Sequence, residues 1–311
     1  MPKNLPALSP ESDPLKNLYL KPEIIARVER LGYSRRGIFE GNISGKYHSP
    51  FRGYSSDFHA FRPYTQGDDL RYLDWKVYGR TEKFFIKQFE EETNMRVIIA
   101  LDCSASMNFP KEHEKNKLYW AKTLASTLAY ILIKRGDSVG FLSFSERLIS
   151  FIPDARGSKY LTKILSEIAK VESSGKTKIF NSLNDIGPFL KRRTLIILIS
   201  DLLSDFLPVS KVIRSFLKQK HRFVVLQVLS SLEFSLPQGE AFVFVDMETQ
   251  ERVRIDVEKV RTYYKKEFEK FNHGIEGNLK SSGVGFFRFN THKPMIREIP
   301  LGLIKAGFTF R

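Results

Sequence analysis

Asp102, Ser104 and Ser106 stand at alternate positions at the end of an apolar run, Arg96-Val-Ile-Ile-Ala-Leu-Asp102-Cys-Ser104-Ala-Ser106. In an extended loop, residues two apart point the same way, so both hydroxyls can face one point with the Asp102 carboxylate beneath them. Oxygen-only donors suit a hard cation such as Mg²⁺, Mn²⁺ or Ca²⁺ and suit zinc poorly. The plainer alternative is a polar turn in which the serines cap the next helix. A second buried run, Thr194-Leu-Ile-Ile-Leu-Ile-Ser-Asp201, also ends in an aspartate, and Ser173-Ser-Gly-Lys-Thr177 lies between the two as a polar loop. In an open parallel sheet, ligands bind beyond the carboxyl ends of the strands, where the winding reverses. Asp102 and Asp201 are expected at such ends, with Thr177 entering the same crevice from its loop.

Other chemistries fit less well. Gly175-Lys176-Thr177 has the ending of a phosphate-binding loop, but Lys170 stands where that motif needs a glycine and a helix is expected where it needs a strand. Aspartate-based phosphatases place a second Asp two residues after the nucleophile; this chain has Ser104 there. The six histidines form no pair at metal-ligand spacing, which argues against zinc. Cys103 is the single cysteine. It excludes an intrachain disulfide and reads as a buried thiol with no base placed beside it.

Strands and helices alternate in the elements that would position these residues. Helix signals run over about 18–31, 114–135, 157–171, 179–191, 206–219 and 256–281. Strand signals fall at 96–102, 138–144, 148–152, 194–200, 223–229, 242–245 and 284–289. Only three residues separate the strands at 138–144 and 148–152, too few for a crossover helix, so that pair should be antiparallel. The pattern predicts an α/β fold with a doubly wound, mostly parallel sheet. Residues 1–18 read as a loose arm, 19–93 as an N-terminal α/β extension packed on the main domain, with a long strand from Lys83, and 94–311 as the main domain. Arg62, Asp68, Asp69, Arg71, Asp74, Trp75 and Arg80 read as an ion-pair and stacking network locking the extension in place, or else as a contact surface for a partner.

Asp-x-Ser-x-Ser after the first strand, a distant Thr and an Asp ending a later strand resemble the metal-ion-dependent adhesion site of von Willebrand factor A domains. Phe51-Arg-Gly-Tyr, Arg62-Pro-Tyr, Gly67-Asp-Asp-Leu-Arg71, Asp74-Trp75, Val245-Asp-Met-Glu-Thr249 and Val260-Arg-Thr-Tyr-Tyr264 resemble the family catalogued as domain of unknown function fifty-eight. The chain departs from that family at Gly79, where Ala is usual, and at His292, where Asp is common. The resemblance implies a von Willebrand factor A-like, Rossmann-like fold with one short antiparallel edge strand. It implies a divalent cation, Mg²⁺ foremost and Mn²⁺ or Ca²⁺ as alternatives, held by Asp102, Ser104, Ser106, Thr177 and Asp201. One coordination position would be left for an acidic residue of a client protein. It also implies a separate MoxR-type AAA+ ATPase as partner in the assembly or maturation of other proteins, with no enzymatic activity in this chain.

The net charge is +15, from 50 basic and 35 acidic residues. The basic residues are dispersed and cluster near predicted helix C-termini, where cations complement the helix dipole, so nucleic acid is the weaker reading. No apolar run approaches the roughly 20 residues that span a bilayer, and residues 1–11 lack the apolar core of a signal peptide. A cytoplasmic location is the expectation. A Mg²⁺-dependent phosphoester hydrolase and a basic nucleic-acid-binding protein remain the alternative functions.

Overall fold

The computed structural model describes residues 19–30, 58–66, 70, 73–89, 95–190, 193–204 and 206–308. The arm expected over 1–18 lies outside these residues, as do residues 51–57, Asp68, Asp69 and Arg71. The chain divides into two compact units, Ser44–Asn94 and the remainder. In chain order the elements begin with α1 (Pro22–Arg30), β1 (Phe58–Pro63), α2 (Trp75–Thr81) and β2 (Phe85–Phe89). Then follow β3 (Arg96–Asp102), α3 (Lys117–Lys134), β4 (Ser138–Phe144), β5 (Leu148–Ala155), α4 (Ser158–Lys170) and α5 (Ile179–Ile186). After these come β6 (Thr194–Ser200), α6 (Phe206–Lys218), β7 (Arg222–Leu229) and a single helical turn α7 (Ser231–Phe234). The last are β8 (Ala241–Val245), β9 (Arg252–Asp256), α8 (Val257–Ser281), β10 (Gly285–Asn290) and α9 (Met295–Lys305).

The larger unit is a mixed α/β fold around a six-stranded sheet of order β10-β7-β6-β3-β4-β5. Every pairing is parallel except β4 with β5, which is antiparallel as their three-residue separation requires. β3 is buried along nearly its whole length, as expected for a parallel strand covered on both faces. Its side chains divide with the period of two. Val97, Ile99 and Leu101 pack in one cluster with residues of α1, α3, α4 and α9. Ile98 and Ala100 pack in another with α5, α6 and α8. α1 therefore belongs to the larger unit, whereas the sequence grouped it with the 19–93 extension. From β3 the chain winds to β4 and β5, then returns to β6 on the other side. The reversal falls between β3 and β6, and the candidate residues sit at that point.

Local chemistry sets several boundaries. α3 begins at Lys117 rather than near Glu114, because the Asn116 side chain caps it by accepting from Tyr119 N at 3.1 Å. α5 ends at Ile186 rather than 191; Pro188 follows in a short 3-10 turn and has no N–H with which to continue the helix. β9 was not expected: Arg252-Val-Arg-Ile-Asp256 does alternate apolar with charged side chains, but it is five residues long, exposes Val253 and runs directly into α8. It pairs antiparallel with β8. Lys134, Lys170, Lys218, Lys280 and Lys305 each lie in the last turn of a helix, which accounts for part of the positive charge without a polyanion. Among the described residues, no helix is long and apolar enough to cross a membrane.

In the smaller unit β1 pairs antiparallel with β2. Asp74 caps α2, accepting from Lys76 N at 2.8 Å and Val77 N at 3.2 Å. Tyr78 stacks on Phe84 with ring centroids 4.5 Å apart, and Trp75 meets Tyr78 edge-on. Arg62 donates to Pro63 O and to Thr65 Oγ1.

Gly140 in β4 admits the backbone of β5: a Cβ there would lie 2.7 Å from Ile152 O and 2.9 Å from Asp154 N. Gly140→Ala is expected to lower the stability of the larger unit by roughly 1–3 kcal/mol, read as an earlier midpoint in urea denaturation.

Candidate functional site

β3 delivers Asp102 to the crevice fully buried, at 0% exposure. Its Oδ1 accepts from Ser104 N at 2.9 Å and its Oδ2 from Ser200 Oγ at 2.6 Å. The first bond curls the chain so that Ser104 and Ser106 converge, their hydroxyl oxygens 3.1 Å apart. Burial, then the charge of the neighbouring Asp201, pushes the Asp102 carboxyl up to about 7. Cys103 points the other way, and its Sγ–H donates to Phe144 O at 3.1 Å. Burial and the Asp102 charge push this thiol up to about 12.

The Thr177 loop is tied to the same segment through backbone bonds. Ala105 N donates to Gly175 O at 2.9 Å and Ser174 N to Cys103 O at 2.8 Å, while Lys178 N donates to Ser145 O. Gly175 has φ +72, and a Cβ on it would press on Ser145 Oγ at 3.3 Å. A glycine here lets the loop turn in the left-handed region and lie close against the segment after β4. Thr177 is half-buried, and Glu248 reaches it from the turn between β8 and β9. Glu248 Oε1 accepts from Thr177 Oγ1 at 2.6 Å and from Thr177 N at 3.2 Å.

Asp201 follows β6, fully buried, and its Oδ2 accepts from Lys117 Nζ at 2.8 Å. The Lys117 ammonium also binds Glu233. Lys117 is 0% exposed. Burial opposes its charge, but Asp201 and Glu233 outweigh burial and raise its pKa, so it stays protonated. Glu233 is held in turn by a capping box in which Ser230 N donates to Glu233 Oε2 at 2.8 Å. Leu203 N donates to Asp201 Oδ1, and Gln227 Nε2 donates to Asp201 O and Asn272 Oδ1. Leu202, between these groups, has φ +55, an uncommon conformation for a branched residue.

The structure thus brings Asp102, Ser104 and Ser106 together, ties the Thr177 loop to their backbone, and sets Asp201 beside Asp102. The set could hold a hard cation: its donors are oxygens, and the buried Asp102 carboxyl feels the charge of Asp201 beside it. Among the described residues no three His, Cys, Asp or Glu side chains form a metal-binding group; the donors here are mainly hydroxyls.

Sequence reasoning missed Lys117, Ser200, Glu233 and Glu248. Lys117 sits in a lysine-rich stretch that looks uniformly solvated. Glu233 had a visible signal, since Ser230-Ser-Leu-Glu233 is a capping-box pattern. Glu248 lies within the quoted segment Val245–Thr249, but nothing local assigns it a contact seventy-one residues away.

The family model described as "Protein of unknown function DUF58" matches residues 60–273. An uncharacterized protein of Mycobacterium bovis and one of Mycobacterium tuberculosis are each 23% identical over 234 residues, covering 73% of this chain and 72% of their own length. Among solved structures, conserved hypothetical protein BatB from Bacteroides thetaiotaomicron is 20% identical with TM-score 0.45, covering 68% of this chain and 98% of its own. An aerotolerance-related membrane protein from Bacteroides fragilis is 18% identical with TM-score 0.45, covering 68% and 99% respectively.

Two measurements test this geometry. Lys117→Met leaves Asp201 and Glu233 buried without their counter-charge and is expected to cost roughly 3–5 kcal/mol, read by chemical denaturation in chelator. Because the folded thiol is raised well above pH 8, Cys103 is expected to resist iodoacetamide at pH 8 in the native protein and to react fully once unfolded, as followed by mass spectrometry.

Proposed function

The chain belongs to the DUF58 family of proteins of unknown function, and from the crevice between β3 and β6 we propose that it is a cation-dependent protein-binding module without enzymatic activity. The observation that carries this reading is the convergence of Ser104 and Ser106 beside two buried aspartates, with the Thr177 loop bonded to the same backbone. Ser104, Ser106 and Thr177 would hold a divalent ion, Mg²⁺ foremost, with Asp102 and Asp201 behind them. Neutral hydroxyls satisfy a divalent cation's geometry without cancelling its charge, so it stays attractive to an external carboxylate. The bound ion would supply that attraction. The order of the sheet and its antiparallel edge strand support a von Willebrand factor A-like fold for the larger unit.

The chain's own residues do the rest. The Asp102–Ser104 bond sets the curl of the loop, and Lys117 holds Asp201 in place while offsetting its charge. Among the described residues, His221 and His292 accept from Thr194 N and Ser231 N and are engaged away from the hydroxyl set. Gly175-Lys176-Thr177 serves the adhesion-type crevice in place of a phosphate. In this reading the partner is an acidic client, with a separate MoxR-type AAA+ ATPase supplying ATP hydrolysis, and the location is cytoplasmic. The positive net charge favours acidic partners of either kind through long-range steering.

Calorimetric titration with Mg²⁺ and Mn²⁺ is the test. One site is expected in the wild type, weakened at least about tenfold in a Ser104→Ala, Ser106→Ala double variant through loss of two oxygen ligands. ATP and p-nitrophenyl phosphate are expected to remain intact in the same samples. Absence of binding at millimolar cation would reject the cation site, and turnover lost in Asp102→Asn would promote the hydrolase alternative.

A further inference from the structure

The turn between β8 and β9 is built to hold one carboxylate. Asp246 Oδ1 accepts from Glu248 N at 2.8 Å and from Thr249 N at 2.6 Å. Gln250 closes the turn with φ +62, its N–H donating to Asp246 O at 2.9 Å. These bonds consume the backbone donors of the tip and leave the Glu248 side chain to project. The strands behind it are mostly exposed: Phe242 is 36%, Val243 58%, Val245 44% and Val253 54% accessible. Packing alone therefore gives the hairpin little reason to lie against the sheet's crevice. Its tip is nonetheless held there, by Glu248 on Thr177 and by the attraction of Asp246 for Lys176.

The way Glu248 sits on Thr177 has a chemical consequence. A single carboxylate oxygen, Oε1, takes both the hydroxyl proton and the amide proton. Thr177 Oγ1, as donor in that bond, keeps its lone pairs for another partner. Glu248 Oε2 makes no hydrogen bond to the described residues. An anion anchored through one oxygen on a cation ligand, with its other oxygen uncommitted, is arranged as an external acidic group would have to be to reach the ion.

We infer that Glu248 is itself a member of the cation site: the β8–β9 hairpin carries a tethered carboxylate that takes the ion's remaining coordination position. The inference rests on the cation reading above and extends it to a residue from a separate element. A tethered ligand acts at an effective concentration on the order of millimolar, so an acidic client must displace Glu248 to bind. The hairpin is suited to such release, since its strands bond chiefly to each other.

Glu248→Gln is the decisive variant, because the amide oxygen can still accept from Thr177 while the charge is gone. Mn²⁺ binding to the purified full chain, followed by electron paramagnetic resonance, is expected to weaken at least about tenfold in this variant through loss of one anionic ligand. Hydrogen exchange across residues 241–256 is expected to slow on adding Mn²⁺ to the wild type and to stay unchanged in Glu248→Gln at the same cation concentration. A wild type that binds Mn²⁺, with Glu248→Gln binding equally well, would overturn the role of Glu248 and leave the cation site standing. A wild type that binds no Mn²⁺ would overturn both. A Glu248→Ala variant that loses exchange protection in the hairpin without any added metal, while its Mn²⁺ affinity holds, would reduce Glu248 to a structural tie.

Discussion

Asp102 and Asp201 end adjacent strands, both excluded from solvent, and like charges so placed repel through a medium that screens poorly. Much of the architecture around the sheet's reversal point follows from that constraint. Ser200 and the Ser104 amide bond the first carboxylate. The second receives a whole buried ammonium, Lys117, which must enter from the first residue of α3. Glu233 supplies a second counter-charge to that ammonium from a one-turn helix whose capping box holds the side chain in position. A single electrostatic problem thus links β3, β6, α3 and α7. Removing either sign from such a cluster leaves an uncompensated charge in the interior, which is why a buried triad of this kind resists piecemeal change.

The same constraint explains why the start of α3 matters. Asn116 caps the helix, and the following residue must place its side chain in the crevice rather than in water. α3 is buried around almost its whole circumference, so its rotation is set by packing on both sides and the lysine has no freedom to leave. The opposite wall of the crevice is softer. The Thr177 loop hangs on backbone bonds to residues 103, 105 and 145, and Gly175 permits its close approach. A rigid charged floor beneath a loop held by a few hydrogen bonds can bind a ligand without opening the core.

Most of the fold was legible because its signals are strong and local. Buried β-branched runs such as Val97–Leu101 and Leu195–Ile199 leave few alternatives to central parallel strands. The short link from β4 to β5 dictated an antiparallel pair. Boundaries were harder to place where one residue decides them, as at Asn116 and Pro188. β9 was hard to read because its alternating run is only five residues long, follows a charged turn and runs straight into the long helix α8, and its strands are mostly exposed, so no buried partner marks it. In the site, hydroxyls and aspartates at strand ends were legible because spacing and topology coincide there. Lys117 was not: burial of one lysine among several is a tertiary fact, set by which face of α3 meets the end of β6. Glu248 was illegible for a related reason, since its partner is reached only through a hairpin the sequence did not reveal.

Charge balance ties these parts to function. Lys117 offsets some of the negative charge of Asp201 and Glu233, yet Asp102 keeps a carboxyl raised to about 7 by burial and its neighbour. The crevice is therefore left with a carboxylate that ionises only at a cost, and a cation near it relieves that cost. Were Asp102 already paired with a lysine, as Asp201 is, a divalent ion would gain little from this place. Were Lys117 absent, Asp201 would be left buried without its counter-charge and Glu233 without its partner. The arrangement satisfies the fold with one fixed ammonium, and it leaves the Asp102 carboxyl beside the uncharged hydroxyls of Ser104 and Ser106, which is where the cation proposed above would sit.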